Sequence, residues 1–438
     1  NSISACLMRG ASLSVTRAAI AAAKDGSADL FIHGSHTLTF YDALETRSAD
    51  DRAASLSECL PALLTHAQSL AGYGHFAQFD LASIASDEDL ARLPVLRKSE
   101  LGAAQKRLPP FGGFSGGEFD YAFQSPGPLY EPGRNSHDWW RFARFLHATG
   151  FGPGDIVQNC FSYHLTPAGT MFENGARALG AAVLPAGTGQ TELQAQAAHD
   201  VGVTCYAGTP DYLKVILEKA DEMGLTLNIG KAAVGGGALF PSLRQWYADR
   251  GILCRQCYAT ADLGNIAYES EAMEGLILDE GVVVEIVTPG TGDPVPFGEV
   301  GEVLVTTLNN DYPLVRFATG DLSAFMPGES PCGRSNLRIK GWMGRADQTT
   351  KIKGMFIRPE QVAAFVAKHP EVTRARVIAS RDGEADTMTV KVEGAAEKAA
   401  DYAASLSETL KLRGQVEVAA SGSLPRDGVV IEDQRSYE

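Results

Sequence analysis

Residues 150–185 read GFGPGDIVQNCFSYHLTPAGTMFENGARALGAAVLP, and this stretch decides the fold class. Glycines and a proline break the chain at 150–154, and residues 156–161 are then short and apolar, as a buried strand is. Residues 168–179 have helical character, and Gly180 is suited to end that helix. A second short apolar run follows at 181–185. The stretch therefore predicts a strand, a helix and a second strand.

The same alternation extends outward from this stretch. Downstream, residues 200–207, 210–223 and 231–234 repeat the order strand, helix, strand. Upstream, residues 50–105 carry leucines at helical spacing, and residues 138–147 read as a further helix. Such alternation predicts a mostly parallel sheet with helices on its faces.

The pattern changes after about residue 275, where short β-rich runs replace the alternation. A smaller unit follows Asp347, with predicted strands at 351–357, 374–380, 388–392 and 416–419 and helices at 359–368 and 399–410. We therefore predict an α/β protein in three segments. They are an N-terminal extension (1–38), a large domain of mixed and parallel sheets with a β-rich subdomain (39–346), and a small C-terminal α+β domain (347–438).

Composition limits the classes of partner. The 438 residues carry a net charge of −15 and are 45% hydrophobic, which suits a water-soluble globular protein and disfavours nucleic acid binding. No apolar run reaches the length of a membrane span. Seven scattered cysteines predict reduced thiols in the cytoplasm. Cys254 and Cys257 form a C-x-x-C pair, but even with Cys332 a fourth zinc ligand is lacking.

Two glycine-containing stretches could hold a nucleotide. Residues 121–132 (YAFQSPGPLYEP) could direct backbone N–H groups at phosphate, or form an ordinary turn. Residues 233–238 (AVGGGA) would let a flat ligand approach the backbone, or would simply join a strand to a helix. Either interpretation is open for each stretch taken alone.

Three further stretches carry side chains with binding chemistry. Residues 258–262 (YATAD) combine an aromatic ring with a carboxylate, which suits a base and Mg²⁺ or a buried tyrosine and a helix cap. Residues 312–323 (YPLVRFATGDLS) place Asp321 in a turn, where it could accept ribose hydroxyls or make an Asx turn. Residues 341–357 (GWMGRADQTTKIKGMFI) are either a functional boundary or a linker with solvated charges.

In combination, these stretches resemble the phenylacetate–CoA ligase branch of the adenylate-forming (acyl/aryl-CoA synthetase) superfamily from about residue 40 to the end. The stretches at 150–159, 175–185 and 189–192, RFATGD at 316–321 and GRADQTTKIKGMFIRPEQV at 344–362 carry the resemblance. It implies the adenylate-forming ligase fold, with a large N-terminal domain and a small mobile C-terminal one. It also implies a homodimer.

The resemblance implies a role for each matching residue. The implied nucleotide-binding residues are Ser125 and Gly127 in the phosphate loop, Gly235, Gly236 and Gly237 in the adenine loop, Tyr258, Ala259 and Thr260 beside the adenine, Asp321 and Arg345 at the ribose, and Ile339 near the base. Phe161, Tyr163 and His164 match the acid pocket. Asp262 stands where the family has a Mg²⁺-binding glutamate, Asp347 matches the hinge, and Lys353 matches the segment that swings toward the thioester-forming site.

The implied activity uses ATP, Mg²⁺ and coenzyme A. The carboxylate of a small acid attacks the α-phosphate, giving an acyl-adenylate and pyrophosphate, and the CoA thiol then displaces AMP. The protein would position the reactants and neutralise charge, and rotation of the small domain would serve the two steps in turn. The aromatic residues of the acid pocket suit an aryl or arylacetic acid.

The sequence departs from the family pattern at several positions. The adenylation lysine of the C-terminal motif is replaced by Val429, with Arg426 as a possible substitute, and the phosphate loop has Tyr130 and Glu131 but no lysine. Gly237 replaces a glutamate. Two hypotheses follow: an AMP-forming carboxylate–CoA ligase with a weakened adenylation step, and a degenerate ligase that binds nucleotide or aromatic acid without efficient turnover.

Overall fold

The parallel strands and crossover helices predicted from residues 150–185 are present in a computed structural model of the chain. It describes residues 40–125, 128–237, 239–343, 346, 350–353, 355–357, 359–382, 385–420, 422–425 and 429–435. The predicted extension at 1–38 lies outside these residues. They divide into two units: residues up to Thr319 with Ser323–Gly341, and Gly320–Leu322 with residues from Trp342 onward.

The helices and strands are numbered in chain order. The α-helices are α1 (Ala49–Gln68), α2 (Asp87–Leu90), α3 (Lys98–Arg107), α4 (Ala143–Ala148), α5 (Ala168–Ala178), α6 (Thr191–Val201), α7 (Pro210–Glu222), α8 (Pro241–Asp249), α9 (Pro359–Lys368) and α10 (Ala399–Leu410). Short 3₁₀ helices lie at Ala43–Thr46, Ala71–Gln78, Leu81–Ser83 and Ala396–Lys398.

The strands of the first unit include β1 (Leu96–Arg97), β2 (Tyr121–Ser125), β3 (Leu129–Gly133), β4 (Ile156–Asn159), β5 (Ala182–Leu184), β6 (Cys205–Gly208), β7 (Lys231–Val234), β8 (Leu253–Thr260), β9 (Gly264–Tyr268), β10 (Leu276–Leu278), β11 (Val282–Val287), β12 (Gly301–Thr307), β14 (Phe325–Met326) and β15 (Arg338–Ile339). Strand β13 (Phe317–Ser323) has residues in both units. The second unit contains β16 (Thr350–Ile352), β17 (Met355–Ile357), β18 (Arg374–Asp382), β19 (Ala385–Glu393), β20 (Gln415–Ala419) and β21 (Ile431–Asp433).

A nine-stranded sheet has the order β14-β15-β10-β9-β8-β7-β6-β4-β5. Strands β5, β4, β6, β7 and β8 are parallel, and β9 then reverses direction against β8. The helices α5 to α8 connect the parallel strands, as the alternating sequence pattern predicted. Beside it, a four-stranded sheet has the order β1-β13-β12-β11 and contains the predicted β-rich runs.

Residues of one strand alternate between separate hydrophobic cores on the two faces of the large sheet. Ala207 and Ala233 belong to one core, whereas their neighbours Tyr206 and Ala232 belong to another. The same alternation separates the C-x-x-C pair, because Cys254 packs in the second core and Cys257 against the first. These two thiols therefore do not converge on one metal or form a redox pair.

The second unit has a sheet of order β20-β19-β18-β21 and its own core, in which Phe365, Tyr402 and Leu406 pack on the sheet. The single strand predicted at 351–357 is wrong. Strands β16 and β17 form an antiparallel hairpin instead, and Lys353 lies in its turn with a φ of 49°.

Two other predicted elements need correction. The helix expected at 138–147 begins only at Ala143, because Asp138 and Arg141 have φ of 46° and 65° and Asp138 accepts the Ala143 N–H at 3.0 Å. The strand expected at 200–207 begins only at Cys205, because helix α6 continues to Val201. No helix in the described part of the chain is long and apolar enough to cross a membrane.

Candidate functional site

The stretch predicted to bind phosphate contains the β2–β3 hairpin. The strands are antiparallel and pair Ser125 with Leu129, so the connection between them is short. The Ser125 hydroxyl is buried and lies 3.4 Å from the Leu129 carbonyl and 3.3 Å from Glu131 Oε1. From helix α3, Gln105 holds the backbone of Tyr130 with two 2.8 Å hydrogen bonds. Gly127 lies outside the described residues.

Asp262 lies in the turn between β8 and β9, next to this hairpin. Its side chain is fully buried, and Lys98 Nζ lies 2.8 Å from its Oδ2 atom. In the described residues, the contacts of these carboxylate oxygens are with that ammonium and with the neighbouring Glu131 carboxyl group. Glu131, which is only 1% exposed, lies beside Asp262 and accepts a 3.0 Å hydrogen bond from the Tyr312 hydroxyl. We call Lys98, Ser125, Glu131, Asp262 and Tyr312 the carboxylate cluster.

The surroundings of Glu131 in the carboxylate cluster oppose its ionisation. Burial raises the pKa of the Glu131 carboxyl group well above its usual range, and the neighbouring Asp262 raises it further. Hydrogen bonding from Tyr312 and the charge of Lys98 only partly oppose this rise in pKa. Because the Glu131 side chain is buried and held by Ser125 and Tyr312, it is turned away from a triphosphate bound at the hairpin.

The glycines after β7 form a bare stretch of backbone. A Cβ atom on Gly235 would lie 3.0 Å from Cys257 Sγ, and Gly236 has a φ of 69° that favours glycine. Gly237 lies against Pro210. The absence of side chains lets a planar ligand approach this backbone closely, as the predicted adenine loop requires.

The predicted adenine neighbours line the end of β8. Tyr258 is 9% exposed and packs in a core with Leu263 and Ile266, so little of its ring is accessible for stacking. The Thr260 hydroxyl accepts the Leu263 N–H at 3.2 Å, and Ala259 packs on a neighbouring core. Ile339 is fully buried on β15 and pairs with Leu276. Their contacts with a nucleotide stay predictions.

Part of the predicted acid pocket lies near the glycine stretch. The Phe161 ring stacks on Phe172 with centroids 4.2 Å apart, and it is close to Gly236. The Tyr163 hydroxyl accepts a 2.8 Å hydrogen bond from Asn159 Nδ2. His164, in contrast, is exposed. Phe161 and Phe172 therefore form an apolar wall, and Asn159 orients Tyr163.

The remaining predicted residues belong to the second unit or lie outside the described chain. Asp321 is 7% exposed, and its Oδ1 atom accepts the Trp342 indole N–H at 3.0 Å. The Lys353 backbone N–H donates to Asp386 at 3.1 Å, while its side chain is exposed. Arg345, Asp347 and Arg426 lie outside the described residues. Val429 lies just before β21 and supplies no charge.

Sequence reasoning missed the contacts of Lys98 and Tyr312, and it noted Glu131 only as a departure from the family pattern. One signal for Lys98 was available. It is the first residue of α3, where the helix dipole disfavours a cation, so a partner carboxylate was to be expected. Tyr312 carried no such signal, because only the tertiary structure brings it to Glu131.

Within the described residues, no group of three or more His, Cys, Asp or Glu side chains could hold a metal ion by itself.

The phenylacetate–coenzyme A ligase of Thermus thermophilus is 30% identical to this chain over 325 residues, which cover 70% of this chain and 72% of that protein. The chain belongs to the phenylacetate–coenzyme A ligase family. The phenylacetate–coenzyme A ligase of Escherichia coli is 29% identical over 385 residues, covering 82% of this chain and 86% of that protein. No profile of a known protein family matches this family member.

Solved structures agree on the fold of this phenylacetate–coenzyme A ligase family member. A 2-hydroxyisobutyryl-CoA ligase in complex with 2-HIB-AMP and CoA matches with a TM-score of 0.73 at 22% identity, covering 93% of this chain and 94% of that chain. An open conformation of that ligase matches with a TM-score of 0.67. The adenylate-forming ligase fold predicted from the sequence is therefore confirmed.

Proposed function

We propose that the chain is an AMP-forming carboxylate–CoA ligase that activates an aryl or arylacetic acid and transfers it to coenzyme A. The observation that carries this proposal is the ion pair between Lys98 and buried Asp262, next to the hairpin predicted to bind phosphate. Lys98 supplies a positive charge in the first unit, so this charge does not depend on a lysine at position 429. Membership in the phenylacetate–coenzyme A ligase family supports the same reaction.

In the first step, a carboxylate oxygen of the acid attacks the α-phosphorus of ATP, and the bond to the β-phosphate breaks to release pyrophosphate. The hairpin backbone and the glycine stretch hold the nucleotide. Lys98, whose side chain is 40% exposed, exchanges its carboxylate partner for a phosphate oxygen and neutralises developing charge. In the second step, the sulfur of CoA attacks the acyl carbon, AMP leaves, and the thiol proton is lost.

Asp262 fits the predicted Mg²⁺ ligand. Its buried oxygens have no partner in the described residues besides Lys98 and Glu131, and Mg²⁺ commonly uses one or two carboxylates together with substrate phosphates. Mg²⁺ bound there with the triphosphate would neutralise charge on the leaving pyrophosphate.

Cytoplasmic location and a homodimer are further parts of the proposal, and light scattering of the purified protein tests the homodimer.

A pyrophosphate-release screen tests the proposed function. The wild-type protein is incubated with ATP, Mg²⁺ and a panel of aryl, arylacetic and aliphatic acids, with and without CoA. We expect acid-dependent pyrophosphate release, and formation of the matching thioester when CoA is present. Nucleotide binding without pyrophosphate release for any acid would instead favour the degenerate ligase.

A further inference from the structure

Three segments that are distant in sequence meet at the carboxyl group of Glu131. From the same hairpin, the Ser125 hydroxyl lies 3.3 Å from Oε1. From the loop after β12, the Tyr312 hydroxyl donates to Oε2 at 3.0 Å. Asp262, in the turn after β8, lies against the same group. Glu131 thus connects the phosphate hairpin to the carboxylate predicted to bind Mg²⁺.

The loop that carries Tyr312 is itself anchored. The Thr307 hydroxyl donates to the Tyr312 carbonyl at 3.1 Å and accepts the Leu314 N–H at 3.0 Å, which closes the loop against β12. Tyr312 is 3% exposed and packs in the core of the first unit. These contacts fix the position from which the Tyr312 hydroxyl reaches Glu131.

The chemistry of residue 131 explains why a carboxyl group is suited to this position. The family resemblance predicts a lysine in the phosphate loop, but an ammonium has only donors and cannot accept the Ser125 and Tyr312 hydroxyls. A carboxyl group has two acceptor oxygens, and both are used here. Buried polar groups that find partners in this way fix the segments that carry them.

We propose that Glu131 is a positioning residue that holds the phosphate hairpin in register with Asp262, a role that rests on the proposed function. The side chain is buried, so it acts through Ser125, Tyr312 and Asp262 rather than on the substrate. Phosphate binding by backbone N–H groups requires tight placement of the loop. Loss of the Glu131 contacts should weaken binding of the β- and γ-phosphates and leave the binding of AMP unchanged.

Calorimetry with two nucleotides tests this role. Dissociation constants for AMP and for a non-hydrolysable ATP analogue with Mg²⁺ are measured for wild type, Glu131→Ala, Glu131→Gln and Tyr312→Phe. The exposed Glu118→Gln is the matched control. Tyr312→Phe removes only one hydroxyl, so it decides the question if Glu131→Ala fails to fold.

We expect Glu131→Ala and Tyr312→Phe to weaken binding of the ATP analogue about tenfold or more, the equivalent of one lost buried hydrogen bond. AMP affinity should be unchanged. Glu131→Gln, which keeps an acceptor and the shape, should stay within about threefold of wild type. Equal loss for both nucleotides, or no loss in Tyr312→Phe, would overturn the positioning role. If wild type bound neither nucleotide, the proposed function itself would fail.

Discussion

Lys98 occupies a helix position that disfavours a cation, and a tertiary ion pair compensates for this. It begins α3, where the partial positive charge of the helix N-terminus disfavours an ammonium. Its ion pair with Asp262 offsets this, because the Asp262 side chain is fully buried and a buried carboxylate left without its ion-pair partner is costly. The presence of a lysine at this position is therefore explained by its contact with Asp262 and not by helix stability.

The first prediction concerns that ammonium. Lys98→Met keeps the apolar stem but leaves Asp262 and Glu131 without a cation. We expect pyrophosphate release to fall by about 10²–10³-fold, the usual effect of losing one charge-stabilising group. Lys106→Met, at an exposed position on the same helix, should retain wild-type activity. A Lys98→Met rate equal to wild type would show that the adenylation cation lies elsewhere.

Asp138 provides a pH-dependent prediction. Burial raises the pKa of its carboxyl group to about 7, so folding favours the protonated form. The free energy of unfolding therefore falls as pH rises from about 4 to about 7, between the pKa values of the unfolded and folded chains. Asp138→Asn removes this dependence and can still accept the Ala143 N–H.

We expect Asp138→Asn to gain about 2 kcal/mol over wild type between pH 5 and pH 8, less than a full pKa shift implies because the side chain is partly exposed. Urea unfolding at both pH values measures this difference. Parallel pH profiles for the two proteins would contradict it.

At the scale of elements, the start of β13 is held by a buried ion pair. Arg316 is 2% exposed and has a φ of 47°, and its Nε atom lies 3.1 and 3.0 Å from the two carboxylate oxygens of Glu285 on β11. A further guanidinium nitrogen donates to the Gly292 carbonyl at 2.7 Å. These contacts hold β13 in the four-stranded sheet.

Arg316→Met should destabilise the first unit by about 3–5 kcal/mol, because it leaves Glu285 buried without its partner. Adding Glu285→Gln to that variant should recover part of the loss. Arg177→Met, which removes a surface ion pair of 3.9 Å, should change stability by less than about 1 kcal/mol. Urea unfolding followed by tryptophan fluorescence compares these variants, and an Arg316→Met value close to the Arg177→Met value would refute the argument.

At the scale of the whole molecule, the two units have separate cores. The core around Phe365 contains described residues of the second unit alone, from Ile352 to Ile431. The chain should therefore not unfold in a single two-state transition. The predicted boundary at 346/347 stays a prediction, because Asp347 lies outside the described residues.

Phe365→Ala tests the independence of the cores. Phe365 is fully buried, so its truncation should cost the second unit about 3–5 kcal/mol. Hydrogen exchange followed by mass spectrometry should show lost protection in β18 and β19 and unchanged protection in β6 and β7. Phe145→Ala, in a core of the first unit, should give the reverse pattern. Equal loss in both units would contradict independent cores.

The sequence was informative wherever local periodicity and tertiary structure agree. Helix α10 was predicted with its observed bounds, and the parallel strands around residues 150–185 were identified from their short apolar runs. The sequence pattern was misleading where a single residue changes the direction of the backbone. At Arg141 and Lys353, left-handed conformations interrupt segments that the hydrophobic pattern predicted as continuous.

The sequence by itself determined the alternating α/β architecture and the family, because hydrophobic periodicity and motif order are local properties of the chain. Only the tertiary structure decided that Glu131, Asp262, Lys98 and Tyr312 form one cluster. These residues come from four distant segments, and neither spacing nor periodicity encodes which of them meet. The electrostatic behaviour of these residues follows from their burial. Burial raises the pKa of Glu131, and the buried Asp262 carboxylate forms an ion pair with Lys98.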